Sequence, residues 1–255
     1  MIDANCLLGA YPFRRLPFET ADALLRKMDQ IGIERAAVSR LEAVFYKDVQ
    51  VANEELFRIV EGHVDRFWPI AVINPTLPSW EEDFTECQKL GMRGVRLHPN
   101  YHGYSPASLE AVRLVEKTAA LGLPVVISMG IEDTRHHHRQ FLVPDVSPGE
   151  TAQLINYLPN ATYLIAGATC SVCLAIEGLL EDPTNVHYDL SRVQGPVGDV
   201  ALLVGRMGAG RILFGSNLPL HVPESAQLSI DTADISEPEK DLIRQGNARR
   251  LLGET

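Results

Sequence analysis

The chain of 255 residues is 45% hydrophobic and 22% charged, with 19 Gly and 16 Pro, a balance that excludes disorder, collagen and coiled coil. A chain of this length buries roughly three quarters of the surface its unfolded form exposes, so neither a disulfide nor a structural metal is needed to hold it together. The formal charge of -10, from 23 basic and 33 acidic residues, argues against bulk electrostatic binding of nucleic acid or anionic membrane and makes a small molecule the expected partner.

From the N-terminus, the β-rich run Ile2 to Leu8 precedes a helical spacing at Leu24, Leu25, Met28 and Ile31. Runs at Arg35 to Ser39 and Phe67 to Ile73 flank the helical set Ala52, Leu56, Ile59 and Val60. Trp80, Phe84 and Cys87 lead to a run at Gly94 to His98, and Ala111, Leu114, Val115 and Thr118 to one at Pro124 to Met129. Leu154, Ile155 and Leu158 precede Ala161 to Ala166; Leu174 and Leu180 precede Val186 to Leu190; Val200, Leu203, Val204 and Met207 precede Ile212 to Gly215. Gly32, Gly91 and Gly122 stand just past three of the helices, where a left-handed cap belongs. Strict alternation of β then α predicts a parallel sheet covered by helices. Eight such units in 255 residues predict a (β/α)8 TIM barrel, with some distortion allowed, as a single domain over residues 1–255. An open doubly wound sheet is the alternative; no G-x-G-x-x-G turn follows the first strand to support it.

Of Cys6, Cys87, Cys170 and Cys173, the last two form a C-x-x-C on one face of an apolar helical run. Small core residues are the expected reading, because no second zinc half-site follows. No apolar run approaches the ~20 residues of a bilayer span, and Met1 to Cys6 lacks the basic and apolar regions of a leader. A soluble, cytoplasmic protein is the expectation.

A barrel places its working residues at the C-terminal strand ends and in the loops beyond them. Strand parity puts Asn5 or Leu7, Arg40, Asn74, His98, Ser128, Gly167, Asp189 and Asn217 in that layer. The long connections His98 to Tyr104 and Ile131 to Arg139 add five of the eight histidines and the carboxylates Glu132 and Asp133. Asp3 and Arg96 both fall in the lower interior, which predicts a buried ion pair.

Asp3-x-Asn5, Gly91-x-x-Gly94-x-x-Leu97-x-Pro99, Pro124 to Ile127, Ile212-Leu213-Phe214-Gly215-Ser216-Asn217-x-Pro219 and the closing Gly246 to Gly253 together resemble the amidohydrolase superfamily, in its amidohydrolase 2 branch of metal-dependent hydrolases and decarboxylases. The resemblance runs from the first strand to the last helix. It implies a TIM barrel holding one or two divalent metals through an H-x-H in strand one, histidines ending strands five and six, and an aspartate ending strand eight. Those positions fall on Asn5 and Leu7, Ser128, Gly167 and Asn217, and none of the five keeps the family's ligand. Leu and Gly offer no donor, and the neutral oxygens of Asn and Ser bind zinc far more weakly than imidazole or carboxylate. Asn217 also cannot serve as the general base that the family's aspartate supplies.

Two functions follow. The first is an amidohydrolase-derived hydrolase or related lyase with a rebuilt site. His98, Glu132, Asp133 and His137 are its candidate acid/base groups, while Asn5, Asn74, His102, Ser128, Arg135, Asp189 and Asn217 hold the substrate. Zinc or manganese would enter only through a non-standard site. Each residue also has a structural reading: His98 a hydrogen-bonded barrel-mouth histidine, His136 to His138 a solvated loop, Glu132 and Asp133 helix caps or partners of Arg135. The second function is a barrel that binds a small ligand or a partner without catalysis. A homodimer is compatible with either.

Overall fold

The structure, a computed structural model, describes residues 1–193, 195 and 198–253. Among the described residues the strands are β1 (Ile2–Leu8), β2 (Arg35–Arg40), β3 (Phe67–Val72), β4 (Gly94–Leu97), β5 (Val125–Ser128), β6 (Tyr163–Ala166), β7 (Val186–Asp189) and β8 (Ile212–Leu213). They pair in chain order, each neighbouring pair parallel. The last seam is carried by backbone hydrogen bonds from Ala4 to Phe214 (2.9 Å), Asn217 to Asn5 (2.8 Å) and Leu7 to Leu218 (2.7 Å), which bring β1 against the segment after β8. The result is the (β/α)8 barrel that the alternation predicts.

Each strand lies where the pattern puts it, and the ends that differ have local causes. β4 stops at Leu97 because His98 turns (ψ 66°) into a helical turn opened by Pro99. β8 is short because the Phe214 amide leaves the sheet and donates to the Ile243 carbonyl (2.8 Å).

The helices are α1 (Ala21–Ile31), α2 (Gln50–Glu61), α3 (Trp80–Lys89), α4 (Pro99–His102), α5 (Leu109–Ala120), α6 (Pro148–Tyr157), α7 (Cys170–Glu177), α8 (Asp199–Met207), α9 (Pro223–Asp231), α10 (Glu237–Asp241) and α11 (Asn247–Leu251). α1 shows why they begin and end where they do. The Thr20 side chain accepts from the Ala23 amide at the start, and Gly32 at φ 75° closes the end with its N–H on the last carbonyls. No described helix is long and apolar enough to cross a membrane.

Outward strand residues such as Val38, Val95, Leu97, Ile127, Ile165 and Tyr188 pack against Leu24, Leu56, Phe84, Leu114, Leu154 and Leu203 of the helices. Cys173 is buried in this layer, and all four cysteines are free. Inside the barrel, Ile2, Ala37, Trp68, Ile70, Val126, Leu164 and Leu213 make an apolar lower layer, with Ala248 and Leu252 against it. The polar residues lie above, toward the C-terminal ends.

The expected ion pair between Asp3 and Arg96 is not formed. The β1–β2 register shifts between Asp3 and Cys6, so simple alternation does not carry across that point of the strand. Asp3 instead accepts from the amides of Ser216 and Asn5 (both 3.0 Å) and from the Ser216 hydroxyl.

Candidate active site at the barrel mouth

The upper interior is a connected polar network. Arg96, 1% exposed, shares one face of β4 with His98. Its Nη1 donates to Asn5 Oδ1 (2.8 Å) and reaches Ser128 Oγ at 3.4 Å. Asn5 Nδ2 donates to Ser191 Oγ (3.2 Å), which donates to Asp189 (2.9 Å). Asp189 also accepts from the Gly167 amide (3.1 Å). Close packing fixes it further, since a Cβ at Gly215 would lie 2.8 Å from its carboxylate. Burial drives these groups toward neutrality. It pushes the Asp3 carboxyl up to about 7 and the Asp189 carboxyl upward, and draws the Arg96 guanidinium down to about 10.

His98 is fully buried, and neither ring nitrogen has a hydrogen-bond partner. Burial, reinforced by His102 and Arg96, holds its imidazole well below the usual histidine range. His102 lies beside it, ring centroids 5.9 Å apart, and donates from Nε2 to the Ala43 carbonyl (3.0 Å).

An aromatic roof closes over Leu7 at the mouth. Tyr11 and Phe13 from the loop after β1, Phe45 after β2, Tyr101 in α4 and Phe141 in the loop after β5 make ring contacts at centroid distances of 5.2 to 6.1 Å. Glu132, 1% exposed, latches this roof. It accepts from the Tyr11 hydroxyl and from Arg14 Nη1 (2.7 Å), and the Arg14 guanidinium lies 4.9 Å from the Tyr11 ring centroid.

Beside the roof lies a cavity of about 640 Å³, whose walls include Asp133, Arg135, His136, Arg192, Asp199 and His221. Cys170, at the first turn of α7, also lines it, and burial pushes its thiol up rather than activating it. Ser191 joins cavity and interior: its carbonyl accepts from His221 Nδ1 (3.0 Å), and its hydroxyl belongs to the network. Arg192 is packed against the same point, donating to the Gly167 carbonyl (3.1 Å) and pairing with Asp145 (3.1 Å).

The candidates named from sequence thus divide. Asn5, Ser128 and Asp189 share the network, and His98 and His102 are buried together alongside it. Glu132 and Asp133 do not make a pair. Glu132 turns inward to the roof, while Asp133 is gripped by Arg135 Nε and Nη2 (2.9 and 2.6 Å), a hydrogen-bonded partner that holds its carboxyl well below the usual range. Arg135 is itself 82% exposed. His137 is half-buried, with both ring nitrogens screened from solvent and unpartnered; His138 stacks on Phe13 at 5.5 Å. Asn74 Oδ1 is used locally, accepting from the Thr76 amide and hydroxyl. Asn217, at φ 52°, donates from Nδ2 to the Ile131 carbonyl (2.6 Å) and so ties the loop after β8 to the loop after β5.

Tyr11, Arg14, Arg192 and His221 do not emerge as site residues from the sequence. They come from loops after β1, β7 and β8, for which strand parity predicts no direction. Arg96 carries a signal, its parity with His98, but that parity alone points to a structural pair.

The residues present do not fit the divalent metal that the resemblance implies. Leu7 and Gly167 supply no donor, and the Asn5 and Ser128 oxygens face the Arg96 cation. Among the described residues no three His, Cys, Asp or Glu side chains group as metal ligands.

A parallel eight-stranded barrel with polar side chains gathered at its C-terminal end defines the class of TIM-barrel proteins. Within it, the chain belongs to the amidohydrolase family, whose model matches residues 11–253. No curated protein matches the sequence. Similar solved structures include 2,6-dihydroxybenzoate decarboxylase from Rhizobium, with 17% identity over 98% of each chain and a TM-score of 0.72. A putative amidohydrolase from Staphylococcus aureus shares 14% identity over 99% of this chain and 100% of that one, with a TM-score of 0.75. A 4-oxalomesaconate hydratase from Rhodopseudomonas palustris shares 19% identity over 91% of this chain and 80% of that one, with a TM-score of 0.68. At these identities the likeness is one of fold.

Proposed function

We propose that the protein is an amidohydrolase-related enzyme, a hydrolase or a lyase, acting on a small polar molecule at the C-terminal mouth of the barrel. The observation that carries this reading is the junction at Ser191 between the 640 Å³ cavity and the buried polar network. Pockets with a few convergent polar groups and perturbed titrations are the expected form of such sites. In this reading Asn5 and Ser128 position the substrate from within, and Asp133, Arg135, Arg192 and His221 hold its outer part. Burial favours the neutral forms of His98 and Asp189, which makes His98 the candidate proton acceptor and Asp189 the candidate donor. Glu132, His102 and Asn217 position the loops, with no direct part in the proton transfers. No step passes through a metal.

The test is a screen of the chelator-treated protein against amides, lactones and aromatic carboxylic acids, with products followed by mass spectrometry. Turnover that survives chelation and falls by roughly 10²–10⁴ in Asp189→Asn, the range for loss of an acid/base group, is the expected result. If no compound of these classes is consumed, the reading fails in favour of a non-catalytic binding barrel. The observation favouring that second reading is the separation of Glu132 from Asp133, each already neutralised by an arginine.

A further inference from the structure

The barrel has a second basic recess, at the face opposite its mouth. A cleft of about 810 Å³ lies where the chain enters β5, β6, β7 and β8, and its wall includes Pro124, Thr162, Asn185, His187, Arg211 and Arg250. That volume is within the range of small-molecule sites. Among the described residues three of the lining side chains are basic and none is acidic, in a chain whose formal charge is -10. The carboxylates nearby are committed. Glu177 is held by Arg211 through both oxygens, with Nη1 3.1 Å from Oε2, and Asp182 accepts from the Thr184 amide (3.0 Å).

Arg250 is not committed in this way. Its Nη2 donates to Asn247 Oδ1 (2.5 Å) and to the Gly210 carbonyl (3.3 Å), while its Nε and Nη1 make no hydrogen bond or ion pair among the described residues. The anchor is itself fixed: Asn247, 1% exposed, donates from Nδ2 to the Ala209 and Ile212 carbonyls (both 2.7 Å). A guanidinium pinned through one nitrogen presents the others in a set direction and loses less freedom on binding than a loose side chain. His187 stands in the same positive field. Burial, reinforced by the Arg250 and Arg211 charges, holds its imidazole below the usual histidine range, and a bound anion would offset that repulsion. The Thr162 hydroxyl on the same wall makes no hydrogen bond among the described residues.

We propose that this cleft binds the phosphate group of a small molecule, with Arg250 as its charged partner and His187 and Thr162 as further polar contacts. The class follows from the donors. A phosphate carries up to two charges and three acceptor oxygens, enough for a guanidinium, an imidazole and a hydroxyl together, whereas one edge of a guanidinium already satisfies a carboxylate. Met207 and Leu251 line the cleft beside these groups and would pack against the organic part of a phosphate ester. The cleft lies at the other end of the barrel from the proposed active site, and binding there does not depend on turnover.

The experiment is isothermal titration of the full chain with phenyl phosphate, with inorganic phosphate and, as a neutral control, with benzyl alcohol, at matched ionic strength. Arg250→Gln and, in the outer cavity at the mouth, Arg135→Gln are titrated alongside, and circular dichroism checks their fold. The expected result is that phenyl phosphate binds and benzyl alcohol does not, that Arg250→Gln weakens phenyl phosphate by roughly tenfold, the loss of a charge-assisted pair, and that Arg135→Gln leaves it unchanged. Tighter binding of phenyl phosphate than of inorganic phosphate assigns the cleft to an ester, and equal binding assigns it to free phosphate; either upholds the site. A second measurement needs no variant: phenyl phosphate should protect Arg250 of the wild-type chain from phenylglyoxal, read by mass spectrometry of the peptide that carries it. Absence of phosphate binding, a loss in Arg135→Gln with none in Arg250→Gln, or an Arg250 that stays equally reactive in saturating phenyl phosphate would each overturn the proposal.

Discussion

Asp3→Asn should make the protein more stable at alkaline pH and change little in acid. Asp3 is fully buried and accepts three hydrogen bonds, yet burial outweighs them and raises its carboxyl from 3.8 to about 7. Between those values the folded chain holds a proton that the unfolded chain has released. The group's contribution to stability is therefore full below the unfolded value, and is lost as the pH rises through the folded one. The shift corresponds to roughly 4 kcal/mol at its limit. Asparagine mimics the protonated acid: Oδ1 still accepts from the Ser216 and Asn5 amides, and Nδ2 donates to the Ser216 hydroxyl. Urea unfolding of both proteins from pH 4 to 8.5 should show the variant's advantage growing from under ~1 kcal/mol near pH 4 to roughly 4 kcal/mol above pH 8. Comparing the two proteins removes most of the contribution of Asp189, another buried acid whose shift has the same sign. A difference that does not change with pH would mean that Asp3 stays ionised, and would refute the dominance of desolvation over hydrogen bonding at this carboxyl.

Two further outcomes concern the mouth. Glu132→Gln should loosen the roof, because it removes the charge that Arg14 pairs with while Arg14, 37% exposed, can turn to solvent. A loss of about 1–3 kcal/mol is expected, with faster limited proteolysis between Ala10 and Glu19; an unchanged cleavage rate there would count against a latch. Gly167→Ala should cost about 3 kcal/mol or more, because Gly167 has φ 65° and a Cβ would strike the Gly130 carbonyl oxygen; a loss in melting temperature smaller than ~3 °C would contradict this packing.

The fold is legible in the sequence because all eight strands and, α4 aside, the helices through Met207 obey simple periods. The chain after β8 is less so. α10 and α11 have five residues each, too short for a hydrophobic period to declare itself, and they are held by contacts such as that of Phe214 with Ile243. α4 reads as loop because Pro99 to His102 makes a single turn. In the site, Asn5, Ser128 and Asp189 are legible because they lie in strands, the last two at their C-terminal ends, where alternation gives direction. Asp3 misleads because the register shift precedes Cys6. His221 and Arg192 become site residues only through the way their loops meet at Ser191, a tertiary fact with no local pattern.

The placement of Arg96 works against a divalent metal ion at the family's ligand positions. A divalent ion coordinated by the oxygen of Asn5 would sit about 2.1 Å from it. That oxygen is 2.8 Å from Arg96 Nη1, so ion and guanidinium nitrogen could be no more than about 4.9 Å apart. At an effective dielectric of about 20 their repulsion is then roughly 7 kcal/mol or more, close to five orders of magnitude in affinity. Restoring imidazoles alone, as Asn5→His with Ser128→His, should therefore not recruit zinc. Adding Arg96→Gln to those two changes should raise zinc affinity by several orders of magnitude, measured by competition with a chromogenic chelator. Equal zinc affinity with and without Arg96 would show that the guanidinium does not stand in the metal's place.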